Sequence, residues 1–157
     1  MVAPCTAVAE VDVTSTIVVA RPRAEVAAFA VDPDNATAWY RNITLARWVS
    51  SPLVAVGSRI AFVAEFLGRR LEYTYQVREF EPGRRFVMST DQGPFPMETT
   101  YTWADAPGGT SMSLHNRGTP SGFARIGAPV LAAAMRRANA KDLEALKAVL
   151  EGRGSVR

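Results

Sequence analysis

The sequence has very few of the residues that build disulfides and metal sites. Its 157 residues include one cysteine, Cys5, and one histidine, His115. A single cysteine excludes an internal disulfide, and with one histidine there is no ligand cluster for a zinc ion. We therefore expect no bound metal, and the cysteine content is consistent with a reducing compartment.

Long apolar runs and cofactor motifs are also missing. No stretch approaches the roughly 18 apolar residues of a membrane-spanning helix. The opening MVAPCTAVAEVDV has neither a basic start nor a sustained apolar segment, so it does not resemble a signal peptide. There is no Ser-His-Asp set, phosphate-cradling glycine loop or dinucleotide fingerprint. We expect a cytoplasmic protein without stable membrane insertion and without a cofactor.

Lysine is scarce although the net charge is +3, because Lys141 and Lys147 are the only two lysines. The arginines occur singly or in pairs along the whole chain. Nucleic-acid-binding proteins instead gather positive charge on one face or stripe. The charge pattern thus indicates a solvated surface and no nucleic-acid partner.

Alternating β-branched residues and turn residues divide the chain into strands and helices. The first strand is predicted from Val11 to about Arg21, a short helix begins at Pro22, and residues 36–40 form a further helical turn. Six more strands are predicted at residues 43–50, 58–67, 70–81, 84–91, 97–104 and 110–117. Their short connections predict antiparallel hairpins.

A long amphipathic helix is predicted over residues 121–151. Thr119 is its expected cap, Pro129 is expected to kink or interrupt it one or two turns in, and Gly152 is expected to end it. This order of elements predicts an α+β fold in which a curved, seven-stranded antiparallel sheet wraps around the helix. We expect one domain over residues 1–157, with loose ends at 1–10 and 152–157.

The chain resembles the START-like (SRPBCC) superfamily in its polyketide cyclase/dehydrase-like branch, from about Val11 to Glu151. The resemblance depends on the order and spacing of IVVARPRAEVAAFAVD, Trp39, Gly57, Gly68, VREFEPGRRF, YTWADAPGGTSMSL and DLEALKAVLE. It implies the helix-grip fold and a cavity between sheet and helix that takes lipids, polyketides, sterols or hormones. It does not imply catalysis, because many members of the superfamily only bind or carry a ligand.

Strand alternation places many aromatic and methionine side chains on the face of the sheet that looks toward the helix. Such a face forms either a solid core or the wall of a ligand pocket. Buried tyrosine hydroxyls need hydrogen-bond partners, which favours a pocket. The predicted ligand-binding residues are Phe62, Phe66, Tyr73, Tyr75, Met88, Met97, Tyr101, Leu114, Asn116, Phe123, Ile126 and Val130. The predicted mouth lies at Asp91–Pro96 and Arg117–Phe123.

The sequence offers weak candidates for catalysis. Tyr73, Tyr75, Tyr101 and Arg117 are the first residues to consider, whereas alternation turns His115 toward solvent. Asp142 falls inside the apolar arc of the long helix with Met135 and Ala138, and Asn139 lies nearby. We expect Asp142 to make a structural hydrogen bond to the sheet or to a Trp or Tyr, and we place the cavity toward the other end of the helix.

Three functions are consistent with these features. The first is binding of a small hydrophobic molecule, such as a lipid or a polyketide-like compound, in the internal cavity. The second is a polyketide aromatase/cyclase or dehydrase without metal or nucleotide cofactor. The third is a co-chaperone-like protein-interaction module, which predicts a small or absent cavity and a large exposed apolar patch. We also allow for a homodimer.

Overall fold

Seven strands and three α-helices make up the part of the chain that the computed structural model describes, which is residues 10–92, 96–119 and 127–155. A short 3-10 turn at Pro33–Asn35 joins the first two helices. The helices are α1 (Arg23–Val31), α2 (Ala36–Trp39) and α3 (Ala128–Ser155). The strands are β1 (Val11–Val19), β2 (Ile43–Trp48), β3 (Arg59–Phe66), β4 (Arg69–Glu81), β5 (Arg85–Gln92), β6 (Met97–Ala106) and β7 (Gly109–Gly118).

The strands form one antiparallel sheet in the order β1-β7-β6-β5-β4-β3-β2. Strands β2 to β7 follow one another as neighbours, and β1 pairs with β7 at the far edge. Irregularities between Ile43 and Leu45 and between Val77 and Glu79 interrupt the register, and bulges of this kind bend a sheet. The predicted fold class, with a seven-stranded antiparallel sheet, short helices after β1 and a long C-terminal helix, is confirmed.

One predicted landmark of the long helix is wrong, and the other lies where the described helix begins. Pro129 lies in the first turn of α3, directly after the left-handed Gly127, where the backbone N–H has no partner within the helix and its loss costs little. Gly152 does not end α3, which continues to Ser155. A single glycine costs a helix only about 1 kcal/mol, so it does not by itself stop one. The predicted start at residues 121–126 lies outside the described residues.

The last turns of α3 are tied to the end of β1 by side chains. Glu151 accepts a hydrogen bond from the backbone N–H of Ala20 at 2.7 Å. Lys147 donates to the carbonyl of Val18 at 2.9 Å and to the Glu151 carboxylate at 2.6 Å. These contacts hold the helix across the concave face of the sheet.

Two apolar clusters fill most of the space between the sheet and α3. The larger cluster includes Leu143, Leu146 and Leu150 of α3, and it also contains residues of α1, α2 and strands β3 to β7. The smaller cluster, at the other end of the helix, holds Leu131 and Met135 against β1 and β4. Within the described residues, no helix combines the length and hydrophobicity needed to span a bilayer.

Candidate functional site

A cavity of about 130 Å³ lies between the concave face of the sheet and the first half of α3. Seven of the predicted ligand-binding residues line it: Phe62, Phe66, Tyr73, Tyr75, Met88, Met97 and Asn116. They belong to strands β3 to β7 and follow the alternation from which they were predicted. Their contact with a ligand remains a prediction.

The rest of the wall comes from residues that were not assigned to a ligand site. From α3 these are Leu131, Met135, Ala138, Asn139 and Asp142, and from the α2–β2 region they are Tyr40, Asn42 and Ile43. Ala64, Leu71, Thr90 and Thr99 complete the sheet side. The sequence shows the apolar arc of α3. Asn139 and Asp142 are the polar residues of α3 on the cavity wall, and polar residues on an otherwise apolar face are the signal in the sequence that could have indicated a cavity there.

The size of the cavity limits what it holds in this conformation. Ligand pockets are commonly about 300–1,000 Å³, whereas an engineered apolar cavity of about 150 Å³ binds benzene. A cavity of about 130 Å³ therefore matches a compound with one ring. A longer lipid or a multi-ring polyketide is larger than this volume.

Aromatic side chains form the most rigid part of the wall. The ring centroids of Phe62 and Tyr75 lie 5.7 Å apart and those of Tyr73 and Tyr75 lie 5.4 Å apart, both in edge-to-face contact. The Thr99 hydroxyl donates to Asn116 Oδ1 at 2.7 Å and lies 3.3 Å from the Tyr75 hydroxyl. These contacts fix the rings, so a ligand meets a preformed surface.

The buried tyrosines are hydrogen-bonding groups and not bases at neutral pH. Burial raises the pKa of Tyr75 to about 12. It also raises the pKa values of Tyr73 and Tyr101 well above the ordinary value. The Tyr101 hydroxyl forms a hydrogen bond with that of Tyr40, whose pKa is raised by burial in the same way. A phenolate in this cavity would be costly, so these hydroxyls serve as donors or acceptors.

Asp142 lines the cavity, although the cavity was expected to lie away from it, toward the other end of α3. The cavity runs along residues 131–142, so it follows the first half of α3 and also reaches Asp142. The carboxylate makes the expected structural hydrogen bond, but its partner is the backbone N–H of Arg41 at 2.9 Å. Burial raises the pKa of Asp142 to about 6, against the opposing effects of that hydrogen bond and of the Arg41 charge.

Asn139 lies one helical turn before Asp142 and also faces the cavity. Its side chain is only 5% exposed. Its Nδ2 has no hydrogen-bond partner among the described residues. An unpaired buried amide donor is costly, and such a group is normally satisfied by water or by a ligand.

Several predicted site residues lie elsewhere. Val130 is 61% exposed, because it is one position, or about 100° of helix rotation, away from the inward-facing Leu131. Leu114 is fully buried in the larger apolar cluster and does not line the cavity. Tyr101 lies in the same cluster and reaches the cavity only through its hydrogen bond to Tyr40.

The outer face of β7 carries the two remaining candidates for chemistry. Arg117 forms an ion pair with Glu98 at 3.3 Å on the side opposite Asn116, so it does not line the cavity. His115 lies on that outer side as predicted, with its Nε2 2.7 Å from Asp12 Oδ1. Phe123, Ile126 and most of the predicted mouth lie outside the described residues.

A groove of about 460 Å³ lies on the surface between α1, the β2–β3 connection and the β4–β5 turn. Its wall includes Ala28, Val31, Trp48, Leu53 and Phe80, and Leu53 is 67% exposed. The groove is larger than the cavity. It provides an exposed apolar surface of the type that the interaction-module hypothesis requires, and that hypothesis stays a prediction.

A comparison with family models finds a match over residues 10–151 to the family described as "Polyketide cyclase / dehydrase and lipid transport". No curated protein matches the chain significantly. The family match confirms the resemblance that the sequence motifs indicated.

Solved structures show the same fold. The Zhui aromatase/cyclase from Streptomyces sp. R1128 superimposes with a TM-score of 0.76 at 15% identity, covering 92% of this chain and 96% of its own. The protein TTHA0849 from Thermus thermophilus gives a TM-score of 0.75 at 16% identity, covering 87% and 94%. A START superfamily protein from Mycobacterium smegmatis gives 0.69 at 17% identity, covering 90% and 95%.

Proposed function

Because the chain belongs to the polyketide cyclase/dehydrase and lipid transport family, we propose that its cavity binds a small hydrophobic molecule. The observation that carries this proposal is the cavity itself, with aromatic and methionine side chains on the sheet facing Leu131 and Met135 of α3. An apolar, largely preformed wall with a few polar groups is the usual character of a small-molecule site.

The size of the cavity favours a compound with a single aromatic or alicyclic ring. Edge and face contacts with Phe62, Tyr73 and Tyr75 suit such a ring. Each buried CH₂-sized group of the ligand contributes about 0.8 kcal/mol, so a ring of six carbons contributes enough for measurable binding.

Thermal unfolding with p-cresol and phenol tests the proposal, with Ala138→Leu as the blocking variant. Ala138 lines the cavity, whereas Ala140 is exposed on the same helix, so Ala140→Leu is the matched control. A ligand at about 100 times its dissociation constant stabilises the folded state by about 2.7 kcal/mol. We expect a ligand-dependent rise in Tm for the wild type and for Ala140→Leu, and no rise for Ala138→Leu. An equal rise in all three proteins would place the ligand elsewhere.

A polyketide cyclase or dehydrase is the second candidate, and Asp142 is the observation that favours it. Its carboxylate lines the cavity, and with a pKa of about 6 it accepts and releases a proton near neutral pH. We propose that Asp142 takes a proton from the carbon next to a ketone while a neutral tyrosine hydroxyl donates to the developing enolate oxygen. This chemistry needs neither a metal nor a nucleotide cofactor.

Asp142→Asn separates the two candidates. The amide side chain still accepts the hydrogen bond from Arg41 but cannot accept the substrate proton. An enzyme would lose at least about a hundredfold in turnover of a β-ketone substrate, the usual contribution of a general base, and would still bind it. A protein that only binds would show no turnover above the uncatalysed rate with either side chain.

We further propose that the protein acts in the cytoplasm. Its partner is a small molecule and not a nucleic acid. Ion pairs support this view of the arginines, because Arg70, Arg85 and Arg117 each contact a glutamate on the sheet. Arginines engaged in this way do not form a free basic stripe for phosphates. The homodimer stays a prediction, which light scattering after size-exclusion chromatography would check.

A further inference from the structure

The cavity has a polar end built from two side chains of α3. Asn139 and Asp142 lie three residues apart, so they are neighbours on one face of the helix. Asn139 is 5% exposed and Asp142 is 4% exposed, yet both line the cavity. An amide donor and a carboxylate therefore stand side by side on the α3 wall of the cavity. The other polar side chains that line the cavity are all uncharged, namely Tyr40, Asn42, Tyr73, Tyr75, Thr90, Thr99 and Asn116.

Neither Asn139 nor Asp142 fills its hydrogen-bonding capacity with groups of the protein. Asn139 Nδ2 has no partner in the described part of the chain. The hydrogen bond that Asp142 accepts from Arg41 uses only Oδ1. A carboxylate has about four lone-pair positions on its two oxygens, so Oδ2 retains the capacity to accept from a ligand.

Positive charge is missing from this wall. Among the described residues that line the cavity, none is a lysine, an arginine or a histidine. Arg41 supplies its backbone N–H to Asp142, but its side chain is exposed and does not line the cavity. A ligand carboxylate entering the cavity would meet the Asp142 carboxylate with no cation on the cavity wall, because the Arg41 charge acts on Asp142 only from outside the lining.

From this geometry we propose that the cavity selects neutral ligands that carry both a carbonyl for Asn139 and a hydroxyl for Asp142, and that Asp142 rejects carboxylate ligands such as fatty acids. The inference rests on the proposed ligand-binding function and defines the class of ligand. It assigns Asn139 the role of a donor to the carbonyl oxygen. It assigns Asp142 the role of a charge filter, meaning that the negative charge of its carboxylate excludes anionic ligands from the cavity.

The filter has a defined dependence on pH. Asp142 titrates near pH 6, so it is ionised at about pH 8 and protonated at about pH 5. The groups that act on its charge are Arg41, Tyr40, Tyr73 and Tyr101. Burial keeps the three tyrosines neutral across this range, and an arginine keeps its charge. A change in anion binding between these pH values that is absent from Asp142→Asn then reports on Asp142.

Three one-ring probes of nearly equal size test the proposal by isothermal titration calorimetry. The first, 3-hydroxyacetophenone, is neutral and has both polar groups. The second, 3-hydroxybenzoate, replaces the methyl ketone with a carboxylate of similar shape, and 3-ethylphenol lacks the carbonyl. At about pH 8 we expect the ketone to bind at least about tenfold more tightly than the benzoate, because two carboxylates repel strongly in a partly dry cavity.

Lowering the pH to about 5 protonates Asp142 but leaves most of the benzoate ionised, since carboxyl groups have ordinary pKa values near 4. We expect the affinity for 3-hydroxybenzoate to rise at least about fivefold in the wild type. Asp142→Asn keeps the acceptor for Arg41 and has no charge to lose. It should bind the benzoate better than the wild type does at about pH 8, and with little change between the two pH values.

Asn139→Leu isolates the donor, because leucine has nearly the same size and offers no hydrogen bond. We expect about a tenfold loss of affinity for 3-hydroxyacetophenone, within the range for one hydrogen bond, and an unchanged affinity for 3-ethylphenol. An equal loss for both probes would show that Asn139 only shapes the wall, and it would overturn the role assigned to it.

Two results would overturn the charge filter. One is equal binding of the ketone and the benzoate by the wild type at about pH 8. The other is the same pH dependence of benzoate binding in Asp142→Asn as in the wild type. If 3-ethylphenol, like the other two probes, does not bind the wild type, the proposed ligand-binding function is contradicted, and so is the charge filter. Binding of 3-ethylphenol without discrimination would contradict the filter alone.

Discussion

At the scale of single residues, the hydrogen bond between Tyr40 and Tyr101 is the clearest case of two buried groups that depend on each other. Removing one hydroxyl leaves the other buried without a partner, which costs about 1–3 kcal/mol, whereas removing both is nearly neutral. We therefore predict that Tyr40→Phe and Tyr101→Phe each lower the free energy of unfolding by about 1–2 kcal/mol. The double variant should lose less than the sum of the two.

Urea unfolding of the four proteins measures this coupling as a double-mutant cycle. The pair Tyr73→Phe and Tyr101→Phe serves as a control, because no hydrogen bond joins those two hydroxyls in the described structure. Additive losses in the Tyr40–Tyr101 cycle, equal to those of the control pair, would mean that the two hydroxyls do not stabilise each other.

The sequence was least informative about the hydrogen-bond partners of single residues. The arc of α3 correctly placed Asp142 in the interior, because helical periodicity alone determines which face a residue occupies. The partner of Asp142 is the backbone of Arg41, which lies 101 positions earlier. Nothing in the local pattern of either segment encodes that meeting, since it depends on how α2 packs beside α3.

At the scale of secondary structure elements, the β3–β4 hairpin contains an unusual turn. Leu67 has a φ of 51° and Gly68 a φ of 75°, a pair of left-handed residues that suits a two-residue hairpin turn. The left-handed conformation costs an ordinary L-residue about 1–2 kcal/mol, but asparagine adopts it readily. Leu67 is also exposed, so its side chain contributes little to packing.

We predict that Leu67→Asn raises the free energy of unfolding by about 0.5–1 kcal/mol. The control is Leu67→Val, which keeps an apolar side chain but adds a β-branch that disfavours positive φ, and it should destabilise the protein. Chemical denaturation with a constant m-value would give both changes. A loss of stability in Leu67→Asn would show that contacts of the leucine side chain outweigh the backbone strain.

The ends of the strands and of α3 show which local sequence signals determine where an element begins or ends. The strand predictions succeeded because period-two alternation coincides with burial, as in Ile60, Phe62 and Ala64 of β3. The predicted end of α3 was wrong because Gly152 carries only a modest local cost, and α3 continues to Ser155. Proline is tolerated in a first turn, where Pro129 lies.

At the scale of the whole molecule, the cavity exists because α3 packs against the sheet through two separate clusters. Leu143, Leu146 and Leu150 anchor one half of the helix, and Leu131 anchors the other. Between these anchors the helix presents the small Ala138 and the polar Asn139 and Asp142 to the sheet. Alternation and helical periodicity predicted the two faces, but they do not give the distance between them, which decides between a solid core and a cavity.

Because the cavity is not filled by side chains, we predict that filling it raises the free energy of unfolding. Ala138→Leu adds three carbon atoms next to the cavity, and burying them should raise the free energy of unfolding by about 1 kcal/mol relative to Ala140→Leu. The two variants make the same change in helix propensity, so their difference reports only on the cavity. Urea unfolding without ligand measures it. If Ala138→Leu is the less stable variant, the added leucine overpacks the interior, and the space beside α3 is too small for a ring-sized ligand in the resting conformation.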